Sequence, residues 1–284
     1  MNVKAFIPGK RYPAISLTGN LCMLNCKYCG KHYLEGMLYA TTPTQLYHVA
    51  RNLHLQGARG LLLSGGFNRE GFLPIKPFLE AIKMIKNDFK MIISIHSGLV
   101  NKGLSSKMRE SGVDIVDYQL ILDPIVINEI QGLNKSPEDY IESLEHLEKY
   151  GPPHIVPHIP LGFRYGVIKE EVEAVKVLKD YNVEVTVFLI FTPTKNTIME
   201  KCKPPDEKSL LEFFKSLKDF KGEVALGCMR PHHLKLDFDK TLIENGLISR
   251  IAVPSKKVIE EYGIKVIEAC CSLPKEYFTI FEST

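Results

Sequence analysis

Three cysteines near the start of the chain have the spacing of a metal-ligating loop. Cys22, Cys26 and Cys29 follow the pattern Cys-x3-Cys-x2-Cys, directly after an apolar run at 14–17 that predicts a strand. Thiolates are the usual ligands of iron–sulfur clusters, and a four-iron cluster has four irons to ligate. Three ligands on one short loop leave the fourth iron without a protein ligand. The spacing therefore predicts a cluster that can bind an outside molecule through iron.

A structural zinc site is the alternative for the same loop. The three cysteines and His32 could form a tetrahedral site with three thiolates and one imidazole, which is a common structural device. Such sites usually stabilise small domains with weak cores, whereas a chain of 284 residues can build a core without one. We therefore predict the cluster, with zinc as the second interpretation and unrelated thiols as the third.

Alternating strand and helix patterns run along the whole chain. Eight near-continuous apolar stretches predict buried parallel strands, most of them followed by a helical stripe, at 14–17, 60–63, 91–95, 113–122, 154–159, 183–191, 223–227 and 250–253. A last apolar run lies at 264–269. No linker, repeat or low-complexity segment interrupts the series. The pattern predicts an α/β fold, a single (β/α)8 TIM-like barrel over residues 1–284 that is complete or slightly open.

In such barrels the chemistry takes place at the carboxyl ends of the strands, so the residues there are candidates for the site. Glycines at these points allow the backbone to approach a ligand closely, although a glycine pair after a strand can also be a tight turn. A histidine at a strand end can instead be structural, and an exposed arginine can simply be solvated. The candidates are Gly65, Gly66, Ser94, His96, Arg164 and Thr192.

Four further cysteines lie in the last third of the chain, within about 192–284. Cys202, Cys228 and the pair Cys270 and Cys271 come from three segments, each at or beyond the end of a predicted strand. Thiols delivered from three segments to one rim predict a second, auxiliary cluster, whereas isolated buried cysteines would act as small hydrophobes. Because adjacent residues of an extended chain point to opposite sides, we expect at most one of the pair to be a ligand.

The composition favours a cytoplasmic enzyme. Of the 284 residues 24% are charged, and the formal net charge is only +3 without a basic stripe, which argues against nucleic-acid binding. Residues 1–12 lack the apolar core of a signal peptide, and apolar runs such as 187–191 are too short to span a bilayer. Seven cysteines without a secretory signal favour metal or redox roles over a disulfide framework.

The cysteine loop, with Tyr28 before its third cysteine, resembles the signature loop of the radical S-adenosylmethionine (SAM) superfamily. In that family the open iron chelates SAM, and an electron then splits SAM to a 5′-deoxyadenosyl radical that abstracts hydrogen from an unactivated carbon. The resemblance implies that backbone carbonyls at Gly65 and Gly66 hold the methionyl amine of SAM. A valine at position 66 is then expected to weaken SAM binding and to leave the cluster in place.

Other SAM contacts follow from the same resemblance. The segment at Thr192 corresponds to one where relatives cradle adenine with backbone groups, and Phe67 stands where many members carry glutamate, so no acid role is implied there. The remaining residues expected to contact SAM are Tyr28, Ser94, His96 and Arg164.

The whole chain resembles the biotin-synthase-related branch of this superfamily, and more narrowly one component of the archaeal two-protein lipoyl synthases. Its specific parts are the signature cysteines, the glycine pair, the segment 191–197 and the later cysteines. The resemblance implies sulfur insertion at C6 or C8 of an octanoyl chain held on a carrier-protein lysine. An auxiliary 4Fe–4S cluster on Cys202, Cys228 and Cys270 or Cys271 would supply the sulfur, with Cys228 needed for its transfer.

The expected partners are the octanoylated carrier protein, the second lipoyl synthase component and a reductant such as ferredoxin. Two other functions stay open at this point. A radical SAM enzyme of other chemistry, such as a biotin-synthase-like enzyme, a mutase or a maturase, needs no auxiliary sulfide. A non-catalytic protein that binds zinc or a cluster would not cleave SAM.

Overall fold

Eleven parallel strands form one sheet in the computed structural model, which describes residues 3–282. The strands are β1 (Lys4–Phe6), β2 (Ala14–Ser16), β3 (Leu38–Tyr39), β4 (Gly60–Ser64), β5 (Ile92–His96), β6 (Ile115–Gln119), β7 (His154–Leu161), β8 (Val185–Ile190), β9 (Glu223–Leu226), β10 (Arg250–Ala252) and β11 (Lys265–Ile267). Their order is β11-β1-β10-β9-β8-β7-β6-β5-β4-β2-β3, so β3 and β11 form the two edges. The sheet is strongly curled but open, a half-barrel within a single α/β domain, which confirms the predicted fold in its open form.

Helices surround this sheet on its outer side. They are α1 (Pro43–Leu55), α2 (Leu79–Phe89), α3 (Lys102–Glu110), α4 (Pro137–Tyr150), α5 (Glu171–Leu178), α6 (Glu207–Ser216), α7 (Asp237–Glu244), α8 (Lys256–Tyr262) and α9 (Phe278–Phe281). Helix α1 begins as its sequence predicts, because the Thr42 side chain accepts a hydrogen bond from the Gln45 amide at 3.2 Å and Pro43 occupies the first turn. Within residues 3–282 no helix combines the length and the apolar character needed to cross a membrane.

All eight predicted strands are present, and the last apolar run forms β11. The sequence analysis did not predict β1 and β3, which are three and two residues long and too short for a recognisable pattern. Strand β1 nevertheless lies inside the sheet, between β10 and β11.

Alternate residues of each strand face either the helices or the interior of the curled sheet. In β5, Ile93 and Ile95 belong to the large outer core under the helices, whereas Ile92 belongs to a smaller interior cluster. Because side chains alternate along a strand, Ser94 and His96 face the interior with Ile92. The same alternation places Ile115 and Asp117 of β6 inside.

The C-terminal segment (268–282) covers the amino-terminal end of the barrel. Arg250, the first residue of β10, donates through Nη1 to the carbonyl oxygens of Cys271 and Leu273 at 2.9 and 2.6 Å. His154, the first residue of β7, lies 2.9 Å from the Glu276 carboxylate through Nε2. These contacts with the starts of strands fix the segment beneath the interior cavity.

Candidate cluster and cofactor site

The signature loop (22–30) is held on three sides by loops that follow strands. The Met23 amide donates to the Phe67 carbonyl at 2.8 Å, after β4, and the Lys27 amide donates to the Ile130 carbonyl at 2.8 Å, beyond β6. The Lys27 carbonyl in turn accepts from the Met199 amide at 3.1 Å, beyond β8. The loop therefore lies across the carboxyl ends of the strands, where barrel enzymes have their active sites.

The thiols of the signature loop form one interacting group. The Cys26 thiol donates to the Gln131 carbonyl at 3.8 Å, and its interaction with the neighbouring Cys29 sulfur is the main reason that the pKa of Cys26 is raised. The same interaction is the main cause that lowers the pKa of Cys29 to about 7, with help from the Lys31 backbone and charge and against the effect of burial. Cys22 lies close enough to act electrostatically on Cys26. Thiolates are the form that ligates metal, so this donor set fits an iron–sulfur cluster.

A cluster fits these thiols better than a single ion. Among the described residues, 3–282, no three Cys, His, Asp or Glu side chains surround one point closely enough to hold a metal ion. Each ligand of a cubane binds a different iron, so its ligands need not converge in that way. His32 is also turned outward, with 61% of its side chain exposed and its Nδ1 3.2 Å from a Glu35 carboxylate oxygen. This position argues against the zinc alternative.

The turn after β4 packs directly against the signature loop. The Gly66 amide donates to Thr18 Oγ1 at 2.7 Å, and a Cβ added to Gly66 would clash with the Leu21 carbonyl oxygen and with Cys22 itself. Within residues 3–282 no donor reaches the carbonyl oxygens of Gly65 or Gly66, so both are available to accept from a ligand amine. Glycine is therefore required at position 66 mainly because a larger residue there would displace Cys22.

Substitution of Gly66 should consequently disturb the cluster as well as the cofactor. The expectation that Gly66→Val would leave the cluster in place is replaced by one of reduced iron content together with weaker SAM binding. Overpacking of this kind costs about 1–3 kcal/mol of stability. Iron per chain after anaerobic reconstitution measures the effect, with Gly36→Ala as control because a Cβ there meets nothing within 4 Å. Full iron content in Gly66→Val would show that the signature loop can move aside.

Tyr28 lies beneath the signature loop rather than on its open side. Its buried ring packs on Phe163 with centroids 4.5 Å apart. Burial is the main cause that raises the pKa of its hydroxyl, while the nearby Gln131 acts in the opposite direction. Tyr28 thus supports the loop from below, and its expected contact with SAM stays a prediction.

Two of the other expected SAM contacts lie at the rim of the barrel. Arg164 faces the Asp123 carboxylate, with Nη1 3.4 Å from Oδ2, so its charge already has a partner. The Thr192 hydroxyl donates to the Ile190 carbonyl at 3.1 Å and stabilises the turn that ends β8. A role in SAM binding stays a prediction for both residues.

His96 is partly exposed, whereas Ser94 is not. Ser94 lies two residues earlier on the same face of β5 and is completely buried. His96 has 35% of its side chain exposed, with Nδ1 3.3 Å from Ser64 Oγ and Nε2 3.6 Å from Asp117 Oδ2. Burial lowers the pKa of His96, against the opposing charge of Asp117. Asp117 was not among the predicted site residues, although an acidic residue inside the apolar run 113–122 could have indicated a functional role.

Cys228 follows β9, at the carboxyl end of the sheet. Its side chain is exposed, yet the surrounding atoms exclude enough water to raise the pKa of its thiol. Tyr33 links the two sites, because both Cys29 and Cys228 act electrostatically on its hydroxyl, whose pKa is raised mainly by burial. Cys29 and Cys228 therefore both lie within electrostatic range of Tyr33.

Cys270 and Cys271 follow the carboxyl end of β11, beyond a strand end as expected. A turn closed by the Leu273 amide and the Cys270 carbonyl at 3.0 Å holds both residues, so they do not lie in an extended chain, and Cys270 acts electrostatically on the Cys271 thiol. Cys202 packs against the outer core. Its role as a cluster ligand stays a prediction.

Comparison with protein families agrees with this arrangement. The family model of the radical SAM superfamily matches residues 16–165, more than half of the chain, including the signature loop and the glycine pair. The chain belongs to the radical SAM superfamily. Members of this family are enzymes that use SAM and a 4Fe–4S cluster, so both cofactors are assigned here, and the signature loop stays the predicted site of the cluster. No curated protein is significantly similar to the chain.

Solved structures of radical SAM enzymes have the same fold at low sequence identity. Methylornithine synthase (PylB) has a TM-score of 0.61 and 15% identity, covering 88% of this chain and 71% of that protein. The FeFe-hydrogenase maturase HydG from Carboxydothermus hydrogenoformans has a TM-score of 0.64 and 14% identity, covering 98% of this chain and 71% of HydG. Streptococcus suis SuiB bound to SAM has a TM-score of 0.60 and 14% identity, covering 81% of this chain and 52% of SuiB. This chain thus spans about half the length of SuiB.

In this radical SAM protein a buried ion pair holds the loop that carries Cys228. The Arg230 guanidinium donates to both Asp239 carboxylate oxygens, at 3.0 and 2.8 Å, and to the carbonyl oxygens of Gly227 and Ala252, both at 2.7 Å. Neither charged side chain is exposed to solvent. The pair therefore fixes the backbone next to Cys228.

Breaking this ion pair should destabilise the whole domain. Asp239→Asn leaves the Arg230 charge buried without its partner, which is expected to lower the free energy of unfolding by about 3–5 kcal/mol. Denaturant unfolding measures the change. Glu173→Gln is the matched control, because it breaks an exposed pair with Lys176 and should cost less than about 1 kcal/mol. Equal small losses in the two variants would contradict a stabilising role for the buried pair.

Proposed function

We propose that this radical SAM enzyme inserts sulfur at C6 or C8 of an octanoyl chain attached to a lysine, as one component of a two-protein lipoyl synthase. The observation that carries the proposal is that Cys29 and Cys228 both lie within electrostatic range of the Tyr33 hydroxyl. A carbon radical formed at the SAM site must meet a sulfur donor within bonding reach, so the two sets of thiols need to open on one space. Cys270, which acts electrostatically on Cys228, adds a second thiol to that space.

The proposed roles of the residues follow from their positions. When bound, the signature cluster supplies the electron that splits SAM and so starts hydrogen abstraction. Cys22, Cys26 and Cys29 would hold that cluster, and the free carbonyl oxygens of Gly65 and Gly66 would accept hydrogen bonds from the methionyl amine. The Arg230 ion pair would keep the Cys228 loop at a fixed distance from the SAM site. Fixed placement of reacting groups is the main advantage that such an enclosed site provides.

The proposal extends to partners. An octanoylated carrier protein would deliver the acyl chain through the open side of the barrel mouth. A second synthase component and an electron donor such as ferredoxin would complete the reaction. The location we propose is the cytoplasm, where thiols remain reduced.

A radical SAM enzyme of other chemistry is the second candidate. It is favoured by the polar interior, where His96, Asp117 and His158 project from three neighbouring strands. An acyl chain prefers apolar walls, whereas a small polar substrate would use these groups. Such an enzyme would form deoxyadenosine and transfer no sulfur.

Reductive incubation with SAM and an octanoyl-lysine peptide separates the two candidates. The anaerobically reconstituted protein is treated with dithionite, and the peptide is analysed by mass spectrometry, with a reaction lacking SAM as control. We expect a SAM-dependent gain of sulfur mass on the peptide. An unchanged peptide, with deoxyadenosine formed equally in its presence and absence, would contradict sulfur insertion and favour the second candidate.

A further inference from the structure

A group of lysines without ion-pair partners lies beside the signature loop at the barrel mouth. One of them is half-buried in that loop, and the others are exposed. In the part of the chain that the structure describes, the lysines that form ion pairs all lie outside this group. The members of the group are Lys27, Lys31, Lys195, Lys201 and Lys203.

Contacts between the signature loop and the loop after β8 bring these lysines together. The Lys27 carbonyl accepts a hydrogen bond from the Met199 amide at 3.1 Å. A Cβ built on Gly30 would lie only 3.1 Å from Thr197 Cγ2, so the backbone next to Lys31 packs on the same loop. The lysines of the two loops therefore border one surface.

A tight turn after β7 joins the same surface. Lys27 Nζ donates to the Tyr165 hydroxyl at 3.4 Å. A Cβ on Gly166 would clash with the Lys203 carbonyl oxygen, so the turn lies directly against the loop after β8. We call the three segments, 27–31, 163–167 and 194–203, the lysine rim. It follows the carboxyl ends of β7 and β8 and adjoins the predicted cluster site.

Apolar side chains are exposed within the lysine rim. Val167 is 55% exposed and Ile198 is 72% exposed. Tyr165 is 43% exposed in a turn where its φ of 51° lies in the left-handed region, which tyrosine rarely adopts. The Val167 amide closes this turn by donating to the Arg164 carbonyl at 2.9 Å. Exposed apolar side chains bordered by charged ones are typical of protein–protein contact surfaces, in which tyrosine is enriched.

The charge of the lysine rim is strongly positive. Its three segments carry six basic side chains and one acidic one, a formal charge of +5, whereas the whole chain has only +3. The acid, Glu200, accepts a hydrogen bond from the Asn196 amide at 2.9 Å, and the Arg164 guanidinium faces Asp123. The five lysines have no such partner among the described residues. An acidic protein surface would complement them, and complementary charge steers association and fixes orientation.

We propose that the lysine rim is the docking surface for an acidic face of the protein that carries the octanoyl-lysine. This inference rests on the proposed function, which requires such a carrier. A docked carrier would place Asp or Glu side chains opposite the lysines and apolar side chains against Val167 and Ile198. Its modified lysine would then enter the barrel mouth next to the signature loop. The exposed apolar side chains favour a protein over a nucleic acid, whose phosphate backbone offers them no apolar partner.

The test compares two fluorescent octanoyl-lysine peptides of equal length, one with acidic and one with neutral residues around the lysine. Fluorescence anisotropy measures their binding to the anaerobically reconstituted, full-length protein. We expect the acidic peptide to bind at least about tenfold more tightly at low salt. This advantage should shrink as the salt concentration rises, because exposed charges are screened.

Charge reversal locates the surface. Lys195→Glu combined with Lys201→Glu should remove the preference for the acidic peptide. The matched control combines Lys83→Glu with Lys215→Glu, which lie exposed on the outer helices α2 and α6 and change the net charge equally. The control should keep the preference. The neutral peptide should bind all three proteins equally, which shows that both variants are folded.

The outcomes separate this inference from the proposed function. Equal binding of the two peptides by the unaltered protein would overturn the docking surface. So would a preference that persists when the rim lysines are reversed or that disappears in the control. Displacement of the acidic peptide by an equal concentration of a single-stranded oligoribonucleotide would make nucleic acid the occupant and overturn a protein partner. A clear preference for the acidic peptide without any gain of sulfur mass would retain the acidic docking surface and contradict sulfur insertion alone.

Discussion

Alanine at Cys22, Cys26 or Cys29 is expected to remove one cluster and all reductive cleavage of SAM. Each thiol would hold a separate iron, and their loop is fixed by backbone hydrogen bonds to three neighbouring segments, so no other side chain can take the place of a missing thiolate. Deoxyadenosine formation after reduction with dithionite should fall to background. Iron and sulfide counting should show the loss of one cluster per chain.

His32→Ala is the matched control for these variants. His32 lies in the same stretch but is exposed and paired with Glu35, so its loss should leave iron content and SAM cleavage nearly unchanged. The opposite result, with zinc retained only when His32 is present and no iron bound, would establish the zinc site and refute the cluster.

Cys228→Ala should separate radical formation from sulfur transfer. Cys228 is exposed and lies outside the signature loop, so deoxyadenosine should still form while thiolation of an octanoyl-lysine peptide is abolished. In the unaltered protein, turnover without repair should stop near a single sulfur transfer per chain, because the auxiliary cluster would be consumed. Mass spectrometry of the peptide and chromatography of deoxyadenosine measure the two steps separately.

Cys202→Ala provides the comparison for Cys228→Ala. Cys202 is partly buried against the same apolar cluster as the signature-loop cysteines, whereas Cys228 is exposed. Retained thiolation in Cys202→Ala would place Cys202 outside the ligand set. Continued thiolation by Cys228→Ala would refute the assignment of Cys228 and the lipoyl interpretation with it.

The sequence predicted the parts of the fold that depend on local pattern. Apolar runs such as 183–191 mark buried parallel strands because both faces of those strands are covered. Strand β1 has no such pattern, since it is three residues long and is stabilised by pairing with β10 and β11, far away in the sequence. Contacts over such distances cannot be read from a short stretch of residues.

In the candidate site, too, the local motifs could be predicted from the sequence and the long-range contacts could not. The spacing of the signature loop is local and was recognised at once, as was the glycine pair. The turn that holds Cys270 and Cys271 was not, because it depends on Arg250 binding carbonyl oxygens about twenty residues further along the chain. The close contact between Gly66 and Cys22 was not predicted either, because these two residues are far apart in the sequence and meet only in the folded chain.

The central claim is that the radical formed at the SAM site acts on an octanoyl carbon, and transfer of deuterium tests it most directly. An octanoyl-lysine peptide deuterated at C6 and C8 is incubated with the reduced, reconstituted protein and SAM, and the deoxyadenosine is analysed by mass spectrometry. The account predicts deuterium in deoxyadenosine together with sulfur in the peptide. Deoxyadenosine without deuterium, formed at the same rate whether or not the peptide is present, would contradict it.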